Sequence, residues 1–255
     1  MKIKGIPSKN EVENIKITSI TSGKGGVGKT TLASNLGVVL SEMDKEILLV
    51  DADLPSGNLA YYLNQNELKN TLTEFLAGSA NNIEEGVTKI DDNLSLLAPN
   101  SSLEGFLKSD IEKLGTHLPS LSKKYDLTII DCPPGISKNS LTPMEISDQI
   151  VIVITPDEAS VSAGENIEKI GRLTEVEIKG HILNRWKKRS FLSRLFSDDT
   201  QMGEERIEER MTSKRLGNIP EEDAVRESTE KGKPVIHYAK NSEASKAIKE
   251  IGKKL

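Results

Sequence analysis

The sequence predicts an α/β protein, a three-layer fold whose mostly parallel central sheet is covered by helices, and three observations carry that prediction. Aliphatic runs such as Ile47-Leu48-Leu49-Val50 and Ile150-Val151-Ile152-Val153-Ile154 are of the kind buried on both faces of a parallel sheet. Segments with apolar residues at helical spacing alternate with these runs. A glycine-rich loop joins the first strand to the first helix, and two later strands end on aspartate. At 255 residues with 36% hydrophobic content, the chain can bury one full core, so one domain spanning 1–255 is expected.

Taken in order, Met1 to Asn14 is polar, contains Gly5 and Pro7, and reads as a loose leader without the apolar core of a signal peptide. Ile15 to Ile20 is β-branched and strand-like. It feeds Thr21-Ser22-Gly23-Lys24-Gly25-Gly26-Val27-Gly28-Lys29-Thr30-Thr31. Residues Gly23 to Thr30 fit G-x-x-x-x-G-K-[ST], in which backbone N–H groups surround a phosphate chain, a lysine reaches its end and a hydroxyl meets Mg²⁺. Leu32 to Leu40 then has helical periodicity, so unsatisfied N–H groups and the helix dipole would point at the phosphates. Gly25, Gly26 and Gly28 let the backbone come close.

Glu46 to Val50 is the next strand and ends in Asp51-Ala52-Asp53-Leu54-Pro55-Ser56-Gly57-Asn58. Carboxylates at the C-terminal end of such a strand lie where open α/β sheets bind ligands, and they can orient water or support a metal. The competing reading is an Asp-rich turn. A short helix is expected over Leu68–Ala77 and a third strand over Asn93–Pro99, stopped by proline. Leu103, Phe106, Leu107, Ile111, Leu114, Leu118 and Leu121 keep a helical period, which predicts one helix over 103–121 covering a face of the sheet. Tyr125 to Asp131 is a hydrophobic strand with an acid at its tip, the second nucleotide signature, and Cys132-Pro133-Pro134-Gly135 follows. Ile150–Thr155 is another buried strand, Ala159–Leu173 a crossover helix, and Ile178–Arg185 a strand tip. A charged helix is expected over Glu204–Arg210, a last strand from Arg215, and a terminal helix with Ala244, Ala247, Ile248, Ile251 and Leu255 on its docked face.

The loop holds a second lysine, Lys24, beside Lys29. Lys-Gly-Gly-Val-Gly-Lys-Thr-Thr resembles the deviant phosphate-binding loop of the MinD/ParA family, ATPases that place cell-division, chromosome-partition and other cellular components. The Asp51/Asp53 segment and Asp131-Cys132-Pro133-Pro134-Gly135 resemble that family's two switches. The resemblance implies the three-layer phosphate-loop NTPase fold, ATP and Mg²⁺ as cofactors, and a nucleotide-sandwich homodimer in which Lys24 contacts the phosphates bound by the other subunit. It further implies catalytic roles for Lys24, Lys29 and Asp53, with Asp53 placing the attacking water, and a metal site of Thr30, Asp53 and Asp131. Nucleotide contacts are implied for Gly23, Lys24, Gly25, Gly26, Val27, Gly28, Lys29, Thr30 and Thr31. Leu183-Asn184-Arg185 resembles the base-recognition segment, and an Asn amide offers the donor and acceptor that an adenine edge needs. A strand-end Asn turning the chain is the alternative. Residues 215–222, with Pro220 and Glu221, resemble the loop closing over the base.

Net charge is −5, so affinity for DNA or lipid must come from a local patch. The expected candidate is an inserted segment at about 186–200. Across Arg185 to Phe196, Arg185, Lys187, Lys188, Arg189 and Arg194 stand without an acid, Asp198 and Asp199 follow at once, and Phe191, Leu192, Leu195 and Phe196 share one face if helical. With Trp186 they suggest peripheral membrane contact, standing in for a C-terminal targeting tail that is not expected here. Packing on the domain and DNA binding remain open for this segment. The lone Cys132 cannot form an internal disulfide, which fits a reducing cytosol, and no run approaches the roughly 20 residues of a membrane span. A cytoplasmic, slowly hydrolysing ATP switch is therefore expected, with an activating or cargo protein at the dimer surface. The alternative is a ParA-type DNA-partition ATPase. An iron–sulfur or nickel maturation role is disfavoured by the single cysteine, and His117, His181 and His237 show no metal-like spacing.

Overall fold

The computed structural model describes residues 17–54, 56–65, 67–68, 70–187 and 201–255. The expected leader and the residues Lys188, Arg189, Phe191, Leu192, Arg194, Leu195 and Phe196 lie outside the described residues. Eight strands form one sheet, β1 (Ile17–Thr21), β2 (Ile47–Asp51), β3 (Val87–Lys89), β4 (Leu94–Leu97), β5 (Leu127–Asp131), β6 (Gln149–Ile154), β7 (Glu177–Trp186) and β8 (Arg215–Pro220). Their order is β3-β4-β2-β5-β1-β6-β7-β8. Every pairing is parallel except β3 with β4.

Alternation along each inner strand feeds two cores. Leu48 and Val50 of β2, with Ile150, Ile152 and Ile154 of β6, face one core. Ile47, Leu49, Val151 and Val153 face the other. Helices α1 (Lys29–Ser41), α2 (Leu59–Tyr62), α3 (Leu72–Ala77), α4 (Leu103–Lys108), α5 (Glu112–Ser122), α6 (Lys138–Glu145), α7 (Glu158–Leu173), α8 (Glu204–Arg210), α9 (Asp223–Glu230), α10 (Val235–Tyr238) and α11 (Glu243–Gly252) connect the strands. Side chains of α3, α5, α6, α7 and α8 fill the first core; those of α1, α2, α10 and α11 fill the second. Because both faces are covered, the strands read as unbroken aliphatic runs.

Two expectations change. The helix expected over 103–121 is two helices, since Ser109 is extended and caps α4. Its neighbour Asp110 donates its N–H to the Leu76 carbonyl at 3.1 Å, a tertiary bond that ends the run. Leu103 and Leu107 are 71% and 74% exposed rather than packed on the sheet, while Ile111, Leu114, Leu118 and Leu121 are buried. The expected third strand is the fourth, because the three-residue β3 precedes it. Trp186, the first residue of the segment expected at about 186–200, is partly buried against the first core. Among the described residues no helix is long and apolar enough to cross a membrane.

Candidate nucleotide site

Parallel strands place their C-terminal ends at one edge of the sheet, and β1, β2 and β5, adjacent in the order β2-β5-β1, deliver Ser22 to Gly28, Asp51 to Asp53 and Asp131 to that edge. The loop after β1 runs directly into α1. Gly26 and Gly28 take φ of 75° and 97°, and Gly28 is the residue before α1. These left-handed angles disfavour a β-carbon at either position. At Gly23 a β-carbon would fall 2.5 Å from the Ala163 carbonyl oxygen, so glycine lets α7 pack against the loop. Gly25 lies beside Pro134 of the segment after β5, where a β-carbon would stand 3.8 Å from the proline Cγ, in ordinary contact.

The two loop lysines differ. Lys29 is 7% exposed, and its charge acts on Asp53 and Asp131. Lys24 points outward and donates to Asp157 Oδ1 at 2.9 Å. Asp157 caps α7, accepting also from Thr155 Oγ1 at 2.6 Å and Ser160 N at 3.0 Å. Partial burial pushes the Asp157 carboxyl up, but the hydrogen bonds from Thr155, Lys24 and Ser160 outweigh it and leave the group below its usual range.

Three aspartates near the loop, Asp51, Asp53 and Asp131, act on one another by charge. Asp51 is fully buried and accepts N–H bonds from Asp53 at 3.1 Å and Leu59 at 2.9 Å, fixing the path of the segment after β2. Burial and then the neighbouring Asp131 charge raise its carboxyl well above the usual value. Asp131 is pushed up to about 7 by burial, opposed by a hydrogen bond from Thr30 and the charge of Lys29. Asp53, half-buried, is raised by burial against the pull of Lys29 and Ser56. Asp131 Oδ1 is buried without a hydrogen-bond partner. An orphaned carboxylate oxygen beside a threonine hydroxyl fits a hydrated divalent cation. Among the described residues no three His, Cys, Asp or Glu side chains converge on a metal. Such a cation would therefore take most of its ligands from phosphate and water.

Beyond Gly28 and Thr31 a cavity of about 340 Å³ opens, bordered by Asn184, Arg185, Pro220 and Glu221. Asn184 Nδ2 donates to the Val27 carbonyl at 2.7 Å. Glu221 pairs with Lys187 at 3.0 Å. Of the sequence-based candidates, Gly28, Thr31, Asn184, Arg185, Pro220 and Glu221 thus border one cavity, while Lys24 points away to Asp157. Tyr62, Arg226, Thr229 and Glu230 also line the cavity, and sequence reasoning misses them. Only Ser228 is buried in α9, so that helix has no apolar stripe to announce it. Asp157 could have been found from Asp157-Glu158-Ala159-Ser160, an N-cap pattern after a buried strand.

Residues 15–180 match a family described as an AAA domain, and residues 108–255 match one described as NUBPL iron-transfer P-loop NTPase. An uncharacterized ATP-binding protein of Methanocaldococcus jannaschii is 32% identical over 235 residues, covering 92% of this chain and 86% of that protein. The septum site-determining protein MinD of Pyrococcus horikoshii, solved with Mg-ADP, superposes with a TM-score of 0.85 at 31% identity, over 93% of this chain and 94% of that one. The MinC:MinD cell division protein complex of Aquifex aeolicus contains a chain that gives 0.80 at 27% identity, over 93% and 94%.

Proposed function

The chain belongs to the MinD/ParA family of phosphate-loop ATPases, and from that premise we propose a Mg²⁺-dependent ATPase whose bound nucleotide switches it between monomer and homodimer so that it positions a cellular component through a partner protein. The observation that carries the reading is the meeting of Lys29, Thr30 and the orphaned Asp131 oxygen at the end of the loop. When bound, Mg²⁺ neutralises charge on the β- and γ-phosphates. Thr30 and Asp131 are the residues that would hold it, Asp131 through the oxygen left without a partner. The amides of residues 23–31 and the Lys29 ammonium hold the phosphates. Asp53 orients the attacking water, and the Asn184–Glu221 cavity takes the base.

Lys24 supplies the link to assembly. Its pair with Asp157 is exposed on both sides, 45% and 38%, and such pairs contribute only about 0–1 kcal/mol. The phosphates of a second subunit, with several negative charges, compete for it easily. The partner-binding part of the reading is supported by the MinC:MinD complex among the similar structures. Iron or nickel cargo is not supported: Cys132 is the single cysteine and is buried, its thiol pushed up to about 12 by burial.

Mg·ATP turnover of Asp53→Ala tests the assignment. Turnover should fall on the order of 100-fold, the scale of a lost proton-directing group, with Mg·ATP affinity unchanged. Equal turnover in variant and wild type would remove Asp53 from the reaction. The finer reading of the surface is contact with the inner face of a membrane through residues 186–196, supported by their cationic and apolar composition. Replacing Phe191, Leu192, Leu195 and Phe196 with serine should abolish ATP-dependent sedimentation with anionic liposomes and leave turnover intact. Sedimentation of duplex DNA instead of liposomes by the wild type would favour the partition-type alternative.

A further inference from the structure

Resting on that nucleotide reading, we propose that Asn184 is a positioning residue for the phosphate loop, tying the wall of the base cavity to the loop through its hydrogen bond to Val27. The bond joins residues 157 positions apart, 2.7 Å from Asn184 Nδ2 to the Val27 carbonyl. Val27 is 1% exposed and stands immediately before Gly28, Lys29 and Thr30. Because a trans peptide holds its C=O and N–H in opposite directions, drawing the Val27 carbonyl toward Asn184 fixes the Gly28 N–H pointing away from it. One side chain thereby sets the plane of a peptide at the mouth of α1.

Local structure on both sides is arranged for this contact. A β-carbon at Gly28 would collide with Asn184 Nδ2, so the approach needs glycine there. On the other side, the β7–β8 register slips between Leu183 and Trp186, and Arg185 within the slip takes φ 56°. A strand irregularity of this kind re-aims a side chain, and a left-handed arginine persists only where its surroundings hold it. Asn184 also borders the cavity that Gly28 and Thr31 border. With one Nδ2 hydrogen committed to the loop, the amide meets a base with what remains. Cavity wall and phosphate loop then move as one piece.

A ligand without a base separates positioning from base reading. Mg·tripolyphosphate and Mg·ATP are competed against a fluorescent ATP analogue, a format that reads even millimolar affinities, on wild type, Asn184→Ala and Asn184→Leu. Leucine keeps the side-chain volume and removes the donor. We expect both variants, folded by circular dichroism, to bind tripolyphosphate about tenfold more weakly, the scale of one hydrogen bond lost near charge. ATP affinity should fall by at least as much. Normal tripolyphosphate binding with weakened ATP binding would show that Asn184 reads the base alone and overturn the inference. Wild-type affinity restored by leucine would overturn it too, since packing would then suffice. Failure of the wild type to bind ATP would overturn the nucleotide reading itself and the inference with it. If the variants do not fold, the wild-type Asn184 side-chain amide decides by NMR. Slow proton exchange supports the bond to Val27, and exchange at the free rate overturns it.

Discussion

Lys24 and Lys29 sit five residues apart in one glycine-rich loop, yet the fold gives them opposite surroundings: one buried at the aspartate cluster, one reaching across the surface to Asp157. The loop motif made Lys29 legible in the sequence, because its spacing places that lysine at a phosphate, whereas Lys24 was singled out by the resemblance to the deviant loop. Asp157 was not legible as their neighbour, since the contact spans 133 positions and depends on α7 packing against Gly23. His181 shows a similar gap. Its sequence neighbours suggest a strand residue and nothing more, but the structure buries it with Nδ1 3.0 Å from the Ser213 carbonyl and Nε2 without a hydrogen bond. Burial lowers its proton affinity, opposed by the charge of Glu208 and the Ser213 carbonyl. The unfolded chain therefore takes up a proton near pH 6.5 that the folded chain refuses. This part of the stability is present above that pH and lost as pH falls below it. Melting temperatures at about pH 7 and pH 5 should show a larger drop for wild type than for His181→Gln; parallel drops in the two proteins would contradict the assignment.

Elements with a strong two-sided or amphipathic pattern were legible, and those defined by tertiary bonds were not. β2, β5 and β6 announce themselves by aliphatic runs that the two cores explain residue by residue. The break between α4 and α5 leaves no mark in the apolar period, because it is made by the Asp110 N–H and the Lys113 ammonium, both donating to the Leu76 carbonyl. α8 was visible as a charged segment, though its attachment was not. Arg210 pairs with Glu158 and Glu165 of α7, and Arg206 with Glu158. Just beyond it, Glu168 of α7, with a side chain 2% exposed, accepts from Thr212 N at 3.1 Å, Thr212 Oγ1 at 2.6 Å and Ser213 N at 2.7 Å. Those hydrogen bonds outweigh burial and keep the Glu168 carboxyl below its usual range. Truncation leaves several donors unpaired, so Glu168→Ala should lower unfolding free energy by about 3 kcal/mol in urea. A loss below about 1 kcal/mol, the scale of a surface pair, would mean that this carboxylate does not hold α7 to the chain after α8.

At the scale of the whole molecule, the sheet order brings the loop with Lys24, Asp51 to Asp53 and Asp131 to one edge, above the two cores. On the proposed reading a second copy meets this edge face to face, and its phosphates replace Asp157 as the partner of Lys24. The exchange is inexpensive because the lysine starts from an exposed pair. In that proposal ATP would add a contact that only the dimer provides, and hydrolysis would remove it. The direct measurement is the solution mass by light scattering of Asp53→Ala, which on the proposed role of Asp53 should retain ATP, with and without the further change Lys24→Ala. With Mg·ATP the single variant should have twice the mass that it has with Mg·ADP, and the double variant should stay monomeric while still binding ATP. A double variant that dimerises with ATP as readily as the single one would contradict the account.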